Sequence, residues 1–323
     1  MQIYQTDFQK AHAHVPSQLE VETIAYKRGL ITSKKDIAAY RRNLAGYEGE
    51  QTIIEYLEKY GKNHWIAIPN LWMDYYGSFE IDLALFTSYK IHTLEIKNYF
   101  GDFIFKKGVS YLNEIQLTTN PLFQARRAQS NLQEIFKRKK VNVPVEGYLI
   151  FAGIDNYVDI QTEITDLNLV IRTQLLHFIK NIIKEERTYK GKPIDWYKII
   201  PQLSDYEIFN PFFSKPYTED DLRKVQKGIT CKSCQQYNVQ VGKKHVTCNC
   251  GYVELREEAV VRTLHELAIL IFDRDFTSRE ALNFLNHQVS KSNLVKILNK
   301  YFIRNFSNRY ARYQVDDSFS FDN

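Results

Sequence analysis

The first two thirds of this sequence predict a mixed α/β fold, a sheet flanked by helices, on three observations. Two runs, Phe79–Phe86 and Ile91–Phe100, alternate apolar with other residues on either side of a short polar stretch at 87–90, the pattern of paired strands. Val145–Ala152 and Leu167–Ile171 are continuous apolar runs of strand length. Between and around them lie segments with helical apolar spacing, so the order is helix, three strands, helix, strand, strand, helix, as expected of a mixed sheet.

The elements follow in order. Residues 1–43 read as a loosely attached lead-in. The text GYEGEQTIIEYLEKYG from Gly46 is a helix, with Ile53, Ile54 and Leu57 placed three, four and seven residues after Glu50 and Gly61 as its stop. That spacing leaves Glu50 at the edge of a buried stripe, a costly place for a carboxylate without a partner. His64–Asn70 is a strand, and the hairpin comes next. Asn120 and Pro121 open a helix to about Lys139, because proline suits a first turn and Leu122, Ala125, Ala128, Leu132 and Ile135 recur helically. After the two apolar strands, 174–184 is an amphipathic helix. The α/β portion spans 44–187, a proline-punctuated connector 188–225, a cysteine-rich segment 226–255, and a helical region 256–323.

At 323 residues, 44% hydrophobic and 14% aromatic, the chain suffices for about two domains with ample core. No apolar run approaches the roughly 20 residues that span a bilayer, and the first residues lack a basic-then-apolar leader pattern, so a soluble, cytoplasmic protein is expected. The net charge of +5 falls wholly in residues 221–323, which hold 16 Lys and Arg against 11 Asp and Glu. Polyanion binding is the natural reading of that asymmetry.

Strand periodicity gives the hairpin its chemistry. Ile81, Leu83 and Leu85 are expected on one face and Glu80 and Asp82 on the other, while Glu95 and Lys97 share a face of the second strand. Two carboxylates and an amine then come within reach of each other. Asp82 and Glu95 are hard oxygen ligands of the kind that hold Mg²⁺ or Mn²⁺, and Lys97 suits orienting a water or stabilising negative charge, the parts needed to cleave a phosphodiester. An E-x-K triplet alone also fits an ordinary solvated strand face.

The neighbouring text narrows that choice. Gly49 and Glu50, Ile81 and Asp82, Glu95 to Asn98, Gly101, and Asn120, Pro121 and Gln124 form an ordered set. Over about residues 42–184 the set resembles the nuclease-related domain (NERD) family, a branch of the PD-(D/E)xK restriction-endonuclease-like superfamily. The resemblance implies a restriction-endonuclease-like mixed sheet flanked by helices, Asp82 and Glu95 as Mg²⁺ or Mn²⁺ ligands, and Lys97 as the catalytic lysine. Glu50 matches the acidic residue of the first helix, and Gln124 the glutamine that completes such sites. The superfamily's Pro-Asp signature has isoleucine here, at Ile81, as is usual in the NERD branch.

Cys231, Cys234, Cys248 and Cys250 form two close pairs, C-x2-C and C-x-C, in an otherwise cysteine-free chain, which favours a tetrahedral structural Zn²⁺ ribbon over disulfides. Its second pair is one residue shorter than usual, and His245 stands nearby as a substitute ligand. Further on, Ser278 and Ser290 each suit the start of a short helix, an arrangement resembling a helix-turn-helix. Lys291, Ser292, Asn293 and Lys296 are then the exposed candidates for nucleic acid contact, joined by Lys300, Arg304, Arg309 and Arg312 of an acid-free run. Leu294, Ile297 and Leu298 pack inward.

The expectation is a Mg²⁺ or Mn²⁺ dependent nuclease acting on DNA. Two alternatives stay open: a non-catalytic DNA-binding regulator on the same scaffold, and an RNA-directed nuclease whose Tyr301, Phe306 and Tyr310 stack on unpaired bases.

Overall fold

The computed structural model describes residues 1–12, 15–211, 215–306 and 311–315. Along the chain, β1 (Gln2–Ile3), α1 (Asp7–Ala11) and α2 (Gln18–Lys27) precede α3 (Lys34–Tyr60). Three strands follow, β2 (Ile66–Asp74), β3 (Ser78–Phe86) and β4 (Ile91–Lys97), then the shorter β5 (Gly101–Lys106), β6 (Val109–Leu112) and β7 (Ile115–Gln116). Helix α4 (Pro121–Arg138) leads to β8 (Val145–Phe151), β9 (Asn156–Ile160) and β10 (Asn168–Ile171), and α5 (Leu175–Thr188), α6 (Trp196–Ile199) and α7 (Glu219–Lys224) come next. The remainder is β11 (Val239–Val241), β12 (His245–Cys248), β13 (Val253–Leu255), α8 (Arg256–Leu270), β14 (Phe276–Thr277), α9 (Ser278–Phe284), α10 (Lys291–Tyr301), β15 (Phe302–Asn305) and β16 (Arg312–Val315).

These elements form two compact units, and neither is one stretch of chain. The first unit takes residues 1–12 and 42–211. The second takes the described residues among 15–41 and those from 215 onward. The first 43 residues are therefore not a loose lead-in: β1 extends the main sheet by pairing with β2, and Ile24 and Ala25 of α2 lie in the core of the second unit. Nor is 188–225 a bare connector, because Trp196, Ile200 and Leu203 are buried in the first unit and Val225 in the second.

The main sheet has the order β1-β2-β3-β4-β8-β10, with β2, β3 and β4 antiparallel and the remaining neighbours parallel, so it is mixed. One face is covered by α4, whose Leu132, Ile135 and Phe136 meet Ile81, Ala84 and Phe86. Ile53 and Leu57 of α3 and Phe178, Ile179 and Ile182 of α5 meet Leu83, Leu85, Leu94 and Ile96 in a second cluster. Full burial of each such side chain is worth about 1.5–3 kcal/mol. Helix α4 begins as its sequence dictates: Asn120 accepts the Leu122 amide at 3.0 Å and Pro121 follows in the first turn.

Two features of this sheet are absent from strand periodicity. Ile81 packs with α4 while Leu83 and Leu85 pack with α3, so the three do not share a face. The alternation breaks at Asp82: pairing of β2 with β3 runs to Pro69 opposite Leu83 and resumes at Leu71 opposite Ile81, and the intervening Asn70 stands at φ +50°. Secondly, β4 ends at Lys97 instead of running on to Phe100, and the chain turns into a separate sheet, β7-β6-β5-β9. That turn needs Gly101, at φ +97°, where a Cβ would sit 2.0 Å from Asn113 Oδ1.

In the second unit, β11, β12 and β13 form a small antiparallel sheet that carries Cys248 at the end of β12. Helices α2, α8, α9 and α10 share one core, and the hairpin of β15 and β16, joined by β14, closes it. Arg28 is fully buried there. It donates through Nε to Glu266 at 2.8 Å and through Nη1 to the Gly228 carbonyl at 2.8 Å, with Phe284 beneath its guanidinium.

Candidate active site and metal centre

Pairing of β3 with β4 stops at Leu83 opposite Leu94. Beyond that point β3 stays with β2 and β4 stays with β8, so the two central strands part and the sheet opens. Asp82 stands at the opening. Its Oδ2 accepts the Ile96 amide at 2.7 Å, taking the place of a strand carbonyl and fixing the carboxylate. On the other side of the gap, Lys97 Nζ lies 2.5 Å from Glu95 Oε1, and Glu95 is only 5% exposed.

Glu50 enters from α3. The helix approaches the end of β4 at Gly49, where a Cβ would lie 2.7 Å from Asn98 Cβ, and Asn98 Nδ2 donates to the Ala45 carbonyl at 2.8 Å. A glycine at this position is what brings Glu50 close. Burial raises the Glu50 carboxyl to about 8, reinforced by the charges of Asp82 and Glu95 and opposed by Lys97. Burial also pushes Asp82 and Glu95 above the usual carboxylate range, and the surrounding carboxylates raise Lys97 against the effect of its own burial.

Glu80 belongs to the same group. Its carboxyl is raised by burial and by Asp82, Glu50 and Glu95 in turn. Tyr99 is a member the sequence reading missed: burial raises its phenol, and Lys97, Glu95 and Asp82 all act on it. The signal was its place two residues past Lys97, continuing the alternation of Glu95 and Lys97. Gln124, by contrast, is exposed in the first turn of α4, and none of the hydrogen bonds that fix the acidic group involves its side chain.

Four carboxyl groups around one ammonium oppose one another's ionisation in a half-buried setting, and hard oxygens of this kind fit a divalent cation that would favour their charged forms. Asp82 and Glu95, one on each side of the opening, are the pair that would hold it. Among the described residues, only the cysteines gather three or more metal-binding atoms within 4.8 Å of one another. Cys231 Sγ lies 3.7 Å from Cys250 Sγ, and Cys234 Sγ lies 3.5 Å from Cys248 Sγ. A tetrahedron with metal–sulfur bonds of about 2.3 Å has edges of roughly 3.8 Å, so the thiols are set for a metal. Burial works to raise Cys231, but amides of Cys234 and Ser233 and the neighbouring thiols outweigh it and lower the group to about 7. The short second pair needs no substitute: Cys250 is in the group and His245, exposed on β12, is outside it.

In the helical region, α9 is capped by Thr277, not Ser278, and α10 by Ser290. Leu294, Ile297 and Leu298 are buried while Lys291, Ser292 and Lys296 are exposed and Asn293 is half-buried, as the period predicts. Lys300 is held by Glu257 at 2.9 Å, Arg304 and Arg312 are exposed, and Arg309 lies outside the described residues. Tyr301 is buried with its hydroxyl on Glu257, and is not free to stack on a base as expected; Phe306 is 72% exposed, and Tyr310 lies outside the described residues.

A mixed sheet that opens at a carboxylate–lysine pair, with a further carboxylate brought in by a helix, makes an α/β domain with an acidic, half-buried site. Residues 45–152 match the family model of the nuclease-related domain, NERD. The matched stretch begins within α3, ends just past β8, and contains Glu50, Asp82, Glu95, Lys97 and Gln124. No curated protein and no solved structure matches the chain. No helix of the described residues is long and apolar enough to cross a membrane.

Proposed function

We propose that this protein is a divalent-metal-dependent nuclease that hydrolyses phosphodiester bonds in DNA. The observation that carries this reading is the meeting of Asp82, Glu95 and Lys97 where β3 and β4 part, inside a nuclease-related domain. Asp82 and Glu95 are the residues that would hold Mg²⁺ or Mn²⁺, and such an ion supplies an activated water and neutralises charge on the phosphoryl oxygens. Lys97, an ammonium fixed by Glu95, donates to negative charge that develops on the phosphate. Glu50 orients within the acidic group from α3, and Gln124, exposed on the first turn of α4, meets the substrate. The four thiols hold a structural Zn²⁺. Lys291, Ser292, Asn293 and Lys296 of α10, with Lys300, Arg304, Arg309 and Arg312, supply cations and donors for the DNA backbone.

Cleavage of linear, nicked, circular and single-stranded DNA by purified protein in Mg²⁺ or Mn²⁺ tests the proposal. Asp82→Ala and Glu95→Ala are expected to lower the rate by at least about a hundredfold, and Lys97→Ala to do the same with less loss of metal affinity. Equal cutting by wild type and Asp82→Ala would overturn it. Tight, salt-sensitive binding without cleavage, indifferent to Asp82, would favour a non-catalytic regulator instead.

A further inference from the structure

The ribbon carries a basic cavity of its own. Strands β11 and β12 turn through Gly242 and His245, whose backbones bond at 2.8 Å, so Lys243 and Lys244 form the hairpin tip. The tip is pinned to the next element, because the Arg256 amide donates to the Lys244 carbonyl at 2.9 Å where α8 begins. Between tip and helix lies a cavity of about 270 Å³, lined by Lys243, Lys244, His245 and Arg256 and floored by Tyr301.

Three observations say what the cavity takes. Cations outnumber acids in its lining: Lys243, Lys244 and Arg256 stand beside His245, against Glu258 and Glu257, and Glu257 already binds Lys300 at 2.9 Å and the Tyr301 hydroxyl at 2.7 Å. Arg256 Nε is buried and has no hydrogen-bond partner among the described residues. The first turn of the 15-residue α8 lacks a side-chain cap at Leu255 and its Arg256, Glu257 and Glu258 line the cavity, so the positive end of the helix dipole lies at this site.

We propose that this cavity binds a phosphate of the nucleic acid, adding a contact on the ribbon to those on α10. The inference rests on the reading that the chain binds DNA. A phosphodiester, with one charge and two free oxygens, matches a site of several donors that is open to solvent, and Tyr301 joins the cavity to the carboxyl end of α10.

The test is binding of the full chain, carrying Asp82→Ala to prevent cleavage, to a labelled duplex over a range of KCl. Lys243→Ala with Lys244→Ala is expected to make the slope of log K against log salt shallower by roughly one, while Lys232→Ala, an exposed ribbon lysine outside the cavity, leaves it unchanged. Zinc content near that of the parent chain verifies that the double variant is folded. An unchanged slope in the double variant, or equal flattening by Lys232→Ala, overturns the cavity and leaves the DNA reading standing. Inorganic phosphate that binds the parent but not the double variant, with both slopes equal, assigns the cavity to a free anion and overturns the nucleic acid contact. Absence of any DNA binding by the parent chain overturns both.

Discussion

At the scale of single residues, the first unit places ionisable groups where their charge is contested. His92 is the clearest case outside the acidic group. It is 1% exposed on β4, its Nε2 lies 3.4 Å from Thr87 Oγ1, and burial lowers its pKa to about 3, with Glu146 and Glu186 acting upward and Lys90 downward. The folded state therefore keeps it neutral where an unfolded chain, titrating near 6.5, takes a proton. Stability from this residue is complete above about pH 6.5 and is lost as pH falls toward 3, by up to about 1.4 kcal/mol per pH unit. Urea denaturation of wild type and His92→Gln at pH 7.5 and pH 5 should show a smaller acid loss in the variant. Glu50 and Glu80 have the opposite sign, since their raised carboxyls gain stability on acidification, which is why the comparison with the variant is needed.

At the scale of elements, the site depends on how closely α3 and β4 approach. Gly49→Ala forces Asn98 or the helix to move, and a displacement of about 1 Å at a reacting group can cost roughly a hundredfold in rate. Cleavage by Gly49→Ala is expected to fall by that order with the fold retained by circular dichroism. Gly46→Ala, one turn earlier with open space around its Cβ, should leave activity unaltered. The same elements show how much was legible in the sequence. Asp82, Glu95 and Lys97 came within reach of one another in the sequence through strand period, and Glu50 joined them through the family resemblance. The break of alternation at Asp82 was not, because it arises from a side chain accepting the Ile96 amide and from Asn70 in the left-handed region, both outcomes of pairing with other strands. Strands β5, β6, β7 and β9 were missed for a related reason: they are short, and only their mutual pairing makes them a sheet.

At the scale of the whole molecule, the sequence reading drew boundaries where composition changes, at 43 and 188, whereas the units divide by burial. The lead-in went unread because the partners of its helix lie far away in the chain: Arg28 meets Glu266 across 238 residues. Removing one member of a buried, hydrogen-bonded pair costs about 3–5 kcal/mol, and Lys27 at 2.6 Å from Glu266 moderates that toward the lower end. Arg28→Ala should thus lower the unfolding free energy of the second unit by about 3 kcal/mol while the first unit, followed through buried Trp65 and Trp196, unfolds as before. The same separation governs the order of events during synthesis. At about 5–20 residues per second, Arg28 emerges from the ribosome on the order of ten to fifty seconds before Glu266 exists, and the first unit has all its residues in hand during that wait. Throughout it, Ile24 and Ala25 of α2 lack the apolar side chains they share a core with, so the growing chain offers chaperones an uncovered helix until Val225 and the core residues beyond it are made.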